Sequence, residues 1–302
     1  MDADPPTSPL DLRGRTALVT GANAGIGYWC AEQLAVRGAR VVLGCRSPAR
    51  AETAVSAIRS QAPDADLRVL ALDLGSLDSV AEAAAAVGEG LDAVICNAGV
   101  KAADRSARTS DGHDLMVGTN FLGHFALVAR LEPVLAPDAR VVAVGSIAHR
   151  FAHLDPATLD APWTGSSLRQ YGRSKASLMA FAFELARRWS GSSRAAVCAH
   201  PGYAVDPLTP PRPGLAEVSG FVRALSAPSR ALVQGKDGGA LPIVHAATSA
   251  DVISGEYWGP GGLLEFRGAP ARVAASDEVR SAAVGSGLWA AAESITGVRF
   301  PT

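Results

Sequence analysis

The chain has 302 residues and a net charge of −1, from 28 basic and 29 acidic side chains. That length suits one α/β domain with a large core, taken here as 1–302. The near-neutral balance argues against a general nucleic-acid binder, which would show a basic excess. Arginine outnumbers lysine by 25 to 3, a compositional bias rather than a recognition signal, and no run approaches ~18 apolar residues, so no membrane span is expected.

The opening Met1-Asp-Ala-Asp-Pro-Pro is acidic and Pro-rich, unlike a signal peptide, and residues 1–13 are expected to be flexible. Thr16–Thr20 is short, apolar and β-branched and reads as the first strand. A glycine turn follows, then a helix with Ile26, Trp29, Cys30 and Leu34 on one face, stopped by Gly38. Val41–Cys45 is the second strand, and Pro48 suits the first turn of the next helix. Leu67–Leu72 is the third strand, with Ser76 as N-cap of an Ala-rich helix to Val87. Leu91–Cys96 makes a fourth strand, a helix is expected from about Thr109 to about Leu131, and Ala139–Gly145 is the fifth strand. Tyr171 sits early in a long helix carrying Ser174, Leu178, Phe181 and Leu185 at helical spacing. Ala195–Ala199 is the sixth strand. Apolar strands separated by helices indicate a parallel sheet covered on both faces, a doubly wound Rossmann-type α/β fold.

Two signatures carry the chemistry. Thr20-Gly21-Ala22-Asn23-Ala24-Gly25-Ile26-Gly27 reads as a pyrophosphate-binding turn. Gly21 lets the chain turn after the strand, while Gly25 and Gly27 clear side chains from where a pyrophosphate approaches the backbone. The helix beginning near Ile26 offers free N–H groups and its positive dipole end. A glycine-rich loop without a ligand is the plain alternative, but strand, turn and helix all fall where the motif requires. Some twenty residues on, a carboxylate would bind the ribose 2′-OH of NAD, whereas arginine accommodates the 2′-phosphate of NADP. Here Cys45 stands in the acid's place and Arg46 follows, with Arg50 one helical turn on, so NADP(H) is the expected cofactor.

The second signature is Tyr171-Gly-Arg-Ser-Lys175. With four tyrosines and three lysines, roughly 0.04 such matches are expected by chance. Tyr171 and Lys175 share a helix face. A nearby ammonium favours phenolate and is expected to bring the phenol closer to working pH as a general acid–base. Ser146, read as ending the fifth strand, lies at the carboxyl edge and can hydrogen-bond a substrate oxygen as charge builds.

These residues resemble the short-chain dehydrogenase/reductase family, closest to its retinol dehydrogenase and carbonyl reductase branch. The likeness spans nearly the whole chain, through Val19–Gly27, Leu43-Gly-Cys-Arg46, Cys96-Asn-Ala-Gly99, Asn120-Phe-Leu-Gly-His-Phe125, the Tyr171 motif, His200-Pro-Gly202 and Gly255-Glu-Tyr-Trp-Gly-Pro260. The resemblance implies a catalytic tetrad of Asn120, Ser146, Tyr171 and Lys175. Lys175 would also hold the nicotinamide ribose, and Asn120 would position a water that feeds it. It further implies cofactor contacts from Gly21, Asn23, Gly25, Ile26, Gly27, Arg46, Asp73, Leu74, Asn97, Ala98, Gly99, Pro201 and Gly202, with Asp73 at the adenine. Two places depart from the pattern. The family usually has a threonine after Pro201-Gly202 that binds the nicotinamide carboxamide, where this chain has Asp206; and the usual Ser-Ser pair is Gly145-Ser146.

Cys30, Cys45, Cys96 and Cys198 show no C-x-x-C spacing and are expected to be reduced, packed thiols in the cytoplasm. His149, His153 and Asp155 fall short of a metal site, so rim histidines are expected, with His153 facing substrate. Leu208–Gly235, rich in Pro, Gly and Ser with a short apolar core at Phe221–Leu225, reads as a substrate lid. Trp163, Tyr203 and Phe221 are candidate walls of an apolar pocket. The long helix after Tyr171 offers a pairing surface for a homo-oligomer. The expected activity is NADP(H)-dependent interconversion of a carbonyl and an alcohol on an apolar small molecule. A non-catalytic NADP(H)-binding partner protein and a C=C reductase are the alternatives.

Overall fold

In the computed structural model, residues 11–88, 90–104, 106–161, 163–215 and 218–301 are described. One eight-stranded sheet runs in the order β3-β2-β1-β4-β5-β6-β7-β8. Its strands are β1 (Thr16–Thr20), β2 (Arg40–Cys45), β3 (Leu67–Ala71), β4 (Leu91–Cys96), β5 (Leu135–Val144), β6 (Ala195–Ala199), β7 (Tyr257–Pro260) and β8 (Pro270–Arg272). All pair in parallel except β8, which closes the edge antiparallel to β7.

The period of two along the strands builds both faces. Leu18, Val94, Cys96, Val141 and Ala143 point into one core, packed by α3 (Leu77–Val87), α5 (Gly123–Leu131), α6 (Ser167–Arg188) and α10 (Ala282–Thr296). Ala17, Val19, Ile95, Val142 and Val144 point into the other, packed by α1 (Gly25–Val36), α2 (Pro48–Arg59) and α8 (Lys236–Thr248). The expected doubly wound fold is therefore present. Ser47 and Ser76 cap α2 and α3, each accepting the backbone N–H three residues on.

The structure moves several boundaries. The helix expected from Thr109 starts instead at Leu115, where Asp114 accepts the amides of Met116 and Val117. It then passes from α4 (Leu115–Val117) through a π turn at Gly118–Leu122, in which the Gly123 N–H reaches back five residues to Gly118, before continuing as α5. β5 begins four residues earlier than its apolar run, at Leu135, and stops at Val144. Ser146 thus lies past the strand, where its hydroxyl accepts the Ala148 N–H. Residues 1–10 of the segment expected to be flexible lie outside the described residues. Leu12 is buried and its amide donates to Arg37.

Beyond β6 the chain adds α7 (Gly220–Ser226), α8, β7, β8, α9 (Asp277–Arg280) and α10. Helix α8 hides behind Gly238, Gly239 and an internal Pro242, each of which opposes helix by local propensity. Burial of Ala240, Ile243 and Val244 against the sheet overrides that preference. Phe125, Phe181, Trp289 and Phe300 stack with centroids 4.2–6.0 Å apart and fasten α10 to α5 and α6.

Gly123 begins α5 directly against the Leu74 carbonyl, which a Cβ there would overlap. Gly123→Val should lower stability by about 1–3 kcal/mol, read in denaturant unfolding. Gly220→Ala, set in open space, is the neutral control.

Candidate active site

The carboxyl ends of the parallel strands fall into line, because Thr20 pairs with Gly44 and Val144 with Ala199. Chain leaving these ends therefore gathers at one edge, at the point where the order reverses between β1 and β4. After Thr20, Gly21 and Gly25 take left-handed φ values of 67° and 60°. Gly27 lies so close under Gly21 that a Cβ would overlap the Gly21 carbonyl and the Asn97 amide. Helix α1 has no side-chain cap and no acid in its first turn, which leaves its N–H groups to an anion.

A cleft of ≈ 520 Å³ runs along this edge. Arg46, Ser47 and Arg50 line one end, the turn residues Gly21, Asn23, Gly25 and Ile26 the middle, and Gly145, Tyr171, Lys175 and Pro201 the other end. Asp73, Leu74, Asn97, Ala98 and Gly99 complete the wall. The elongated cleft, the positive-φ glycines and the uncapped helix fit a dinucleotide. Four of the expected site residues lie off this wall. Gly27 sits beneath the turn, Gly202 turns behind Pro201 with φ 65°, Ser146 follows Gly145, and Asn120 is wholly buried. Cys45 does not face the cleft as an acid would. It is buried, its sulfur accepts the Ala22 and Asn23 amides, and burial pushes its thiol up to about 11.

Asn120 is fully engaged. Its amide donates to the Val100 carbonyl at 3.0 Å and Ser174 Oγ at 2.9 Å, and its Oδ1 accepts the Val100 N–H at 2.7 Å. Sequence reasoning missed what lies beneath it. His124 Nδ1 is 3.0 Å from the Asn120 carbonyl and Nε2 is 2.9 Å from Thr20 Oγ1. A carbonyl only accepts, so Nδ1 carries the proton and Nε2 takes the Thr20 hydroxyl. Burial lowers His124 to about 3, which keeps the ring neutral. The spacing of Asn120 and His124, four apart, was the available signal.

Tyr171 and Lys175 meet on the cleft wall, one turn apart on α6. The Lys175 ammonium donates to the Val144 carbonyl at 3.0 Å, and Gly99 leaves room for it beside Asn120 Oδ1. The expected lowering of Tyr171 by this ammonium is not what the site produces. Burial raises the phenol above its ordinary value, with only the Ser146 hydroxyl opposing. Lys175 itself falls to about 8, again through burial. Desolvation penalises both charged forms and dominates each shift.

Asp206 forms an ion pair with Lys236. His149 is buried, bonded through Nδ1 to the Ser146 carbonyl, while His153 is 89% exposed beside Glu278 rather than facing a pocket. No group of three metal-ligating side chains occurs among the described residues. All four cysteines are free and buried. Tyr203 lines an apolar groove of ≈ 570 Å³ with Leu232, Leu263, Leu264 and Phe266. Trp163 and Phe221 do not line it: Trp163 donates to Ser166 beneath Arg173, and Phe221 points outward. Phe221 and Leu225 are 77% and 72% exposed, so Phe221–Leu225 is a helical surface and not a core. The groove's rim is strained, since Leu264 and Glu265 hold φ values of 53° and 58°. Arg150 clamps the Glu265 carboxylate at 2.7 and 2.8 Å.

Residues 15–211 match the family model for short chain dehydrogenases. The chain is 40% identical over 265 residues to dehydrogenase/reductase SDR family member 13 of Bos taurus, covering 84% of this chain and 68% of that protein. It is 32% identical to human retinol dehydrogenase 13 over 98% of this chain and 88% of that one. A solved structure of an uncharacterized protein from Mycobacterium paratuberculosis superposes with TM-score 0.79 at 32% identity, covering 97% of each chain. A short chain dehydrogenase from Burkholderia cenocepacia in complex with NADP gives TM-score 0.60 at 25% identity, covering 81% of this chain and 98% of that one.

Burying Lys175 costs stability. Its folded value of about 8 lies below the unfolded 10.5, so the penalty is full below pH 8 and disappears as pH rises to 10.5. Without cofactor at pH 7, Lys175→Met should therefore raise stability by up to about 3 kcal/mol. In melts across that pH range, the gain should shrink towards pH 10.5.

Proposed function

The chain belongs to the short-chain dehydrogenase/reductase family, in its retinol dehydrogenase-like branch, and from this oxidoreductase membership we propose NADP(H)-dependent interconversion of an apolar carbonyl and its alcohol. The observation that carries the reading is the placement of Tyr171 and Lys175 on one end of the cleft whose other end holds Arg46 and Arg50.

Bound nicotinamide supplies or accepts the hydride. The rest falls to side chains. Tyr171 hands its proton to the substrate oxygen in reduction and recovers it in oxidation. Its upward shift keeps the phenol protonated at neutral pH, the form that reduction needs. Ser146 donates a hydrogen bond to the same oxygen as negative charge builds. Lys175, anchored on Val144, holds the nicotinamide ribose, and Asn120 fixes the Val100 backbone and Ser174 around it. Arg46 and Arg50 bind the 2′-phosphate, and buried Cys45 offers no competing carboxylate. The groove of Tyr203, Leu263 and Leu264 supports an apolar substrate, and Ala231, Leu232 and Val233 of the expected 208–235 lid, of which 216–217 lie outside the described residues, line the same groove.

NADPH should bind at least about tenfold more tightly than NADH, or ~1.4 kcal/mol. Arg46→Gln should bring the two affinities together. Equal affinities for the natural chain would overturn the cofactor assignment. Tyr171→Phe should keep NADPH affinity and lose about 10²–10⁴-fold in turnover of a ketone or aldehyde found by screening. Undiminished turnover would remove Tyr171 from the mechanism.

A further inference from the structure

Asp206 places a carboxylate next to a cleft shaped for an anion. It lines a second cleft, of ≈ 680 Å³, which shares Asn23, Ala24, Gly25, Arg50 and Lys236 with the cofactor cleft. An unpaired carboxylate there would repel phosphate groups. Lys236 lines both clefts and is ion-paired to Asp206.

The position of Lys236 is fixed by more than that pair. It is the first residue of α8, and its amide donates to Thr209 Oγ1 at 2.8 Å. The first turn of α8 packs along α1. A Cβ on Gly239 would come 3.0 Å from Ile26 Cδ1, and Gln33 Nε2 donates to the Asp237 carbonyl at 2.8 Å. The two helices thus pack together near the glycine turn; α1 has no side-chain cap, whereas the first amide of α8 is taken by Thr209 and its first turn carries Asp237. Lys236 is the ammonium beside that junction. Arg46 lines the cofactor cleft after β2, Arg50 lines both clefts together with Lys236, and Lys175 is committed to Val144.

We propose that Lys236 is a cofactor-binding residue for the dinucleotide pyrophosphate, with Asp206 as its holding partner. This rests on the cofactor reading above. On binding, the ammonium takes phosphate oxygens across the shared wall while it stays beside Asp206. It also cancels the Asp206 charge that would otherwise face them. Asp206 is then a positioning residue, and its departure from the family's threonine is compensated by a charge rather than by a hydroxyl.

The test is fluorescence titration of the full chain with NADPH and with 2′-AMP, which carries the 2′-phosphate but no pyrophosphate. Lys236→Gln should weaken NADPH about tenfold and leave 2′-AMP within about twofold, while Lys236→Arg restores NADPH binding. Asp206→Asn should leave NADPH binding unchanged or tighter, since the ammonium is no longer shared. If Lys236 only secured the segment around Asp206, Lys236→Gln and Asp206→Asn would act alike, and the proposal would fail. It also fails if Lys236→Gln leaves the NADPH affinity intact, or weakens 2′-AMP as much as NADPH. Failure of the natural chain to bind NADPH would remove the cofactor reading and this role together, an outcome distinct from a Lys236 effect that is merely absent.

Discussion

The Thr20 hydroxyl is the tie on which the site depends. At the end of β1 it accepts the backbone N–H groups of Asn97 and Ala98, both at 2.9 Å, and gives its own proton to His124. Asn97 answers by donating its side-chain amide to the Thr20 carbonyl at 2.8 Å. The glycine turn, the β4 exit and the helix bearing Asn120 are thereby set by one buried group. Each strand ends in chain that must leave the sheet, and without such cross-links those exits would be ordinary loops. Satisfied at every position and shielded from water, the hydroxyl network specifies one arrangement.

Electrostatics in this edge follow from burial more than from pairing. Tyr171 rises and Lys175 falls, because taking either charge out of water costs more than the neighbours return. The chain carries this cost in the fold, where Val144 offers the ammonium a single carbonyl. Ribose hydroxyls and a substrate oxygen are the partners whose arrival would complete the set. Stability and function oppose each other here, as they do wherever a site holds polar groups in readiness.

The opposite wall shows a second conflict. Leu263 and Leu264 project outward at 75% and 65% exposure, and Leu264 and Glu265 hold left-handed backbone. Arg150 reaches from the turn after Ser146 to clamp Glu265, so the strained rim is fixed to the same segment that carries the serine. An apolar edge of this kind is a feature for contact with something beyond this chain's own core.

Much of this was legible in the residues. Binary patterning gave β1 to β6, since a strand buried on both faces is continuously apolar and its length is bounded by turn residues. The glycine turn and the Tyr171–Lys175 spacing also needed only local geometry, because each lies within one turn or one helix. What the pattern could not reach was set by contacts distant in sequence. The π turn around Asn120 and the helix through Pro242 oppose local preference and exist because the core buries them, while the antiparallel β8 is held by pairing with β7 at the sheet edge. The sequence also indicated the wrong direction for Tyr171, since spacing reports a neighbouring charge but not the loss of water around it. Residue identity and spacing by themselves determined the fold, the turn and the pair that shares a helix face. Tertiary structure alone decided what each group's environment would be: which carbonyl holds Lys175, that His124 is neutral beneath Asn120, and that Asp206 has Lys236 beside it. Those depend on burial and on partners up to a hundred residues away, which no local pattern encodes.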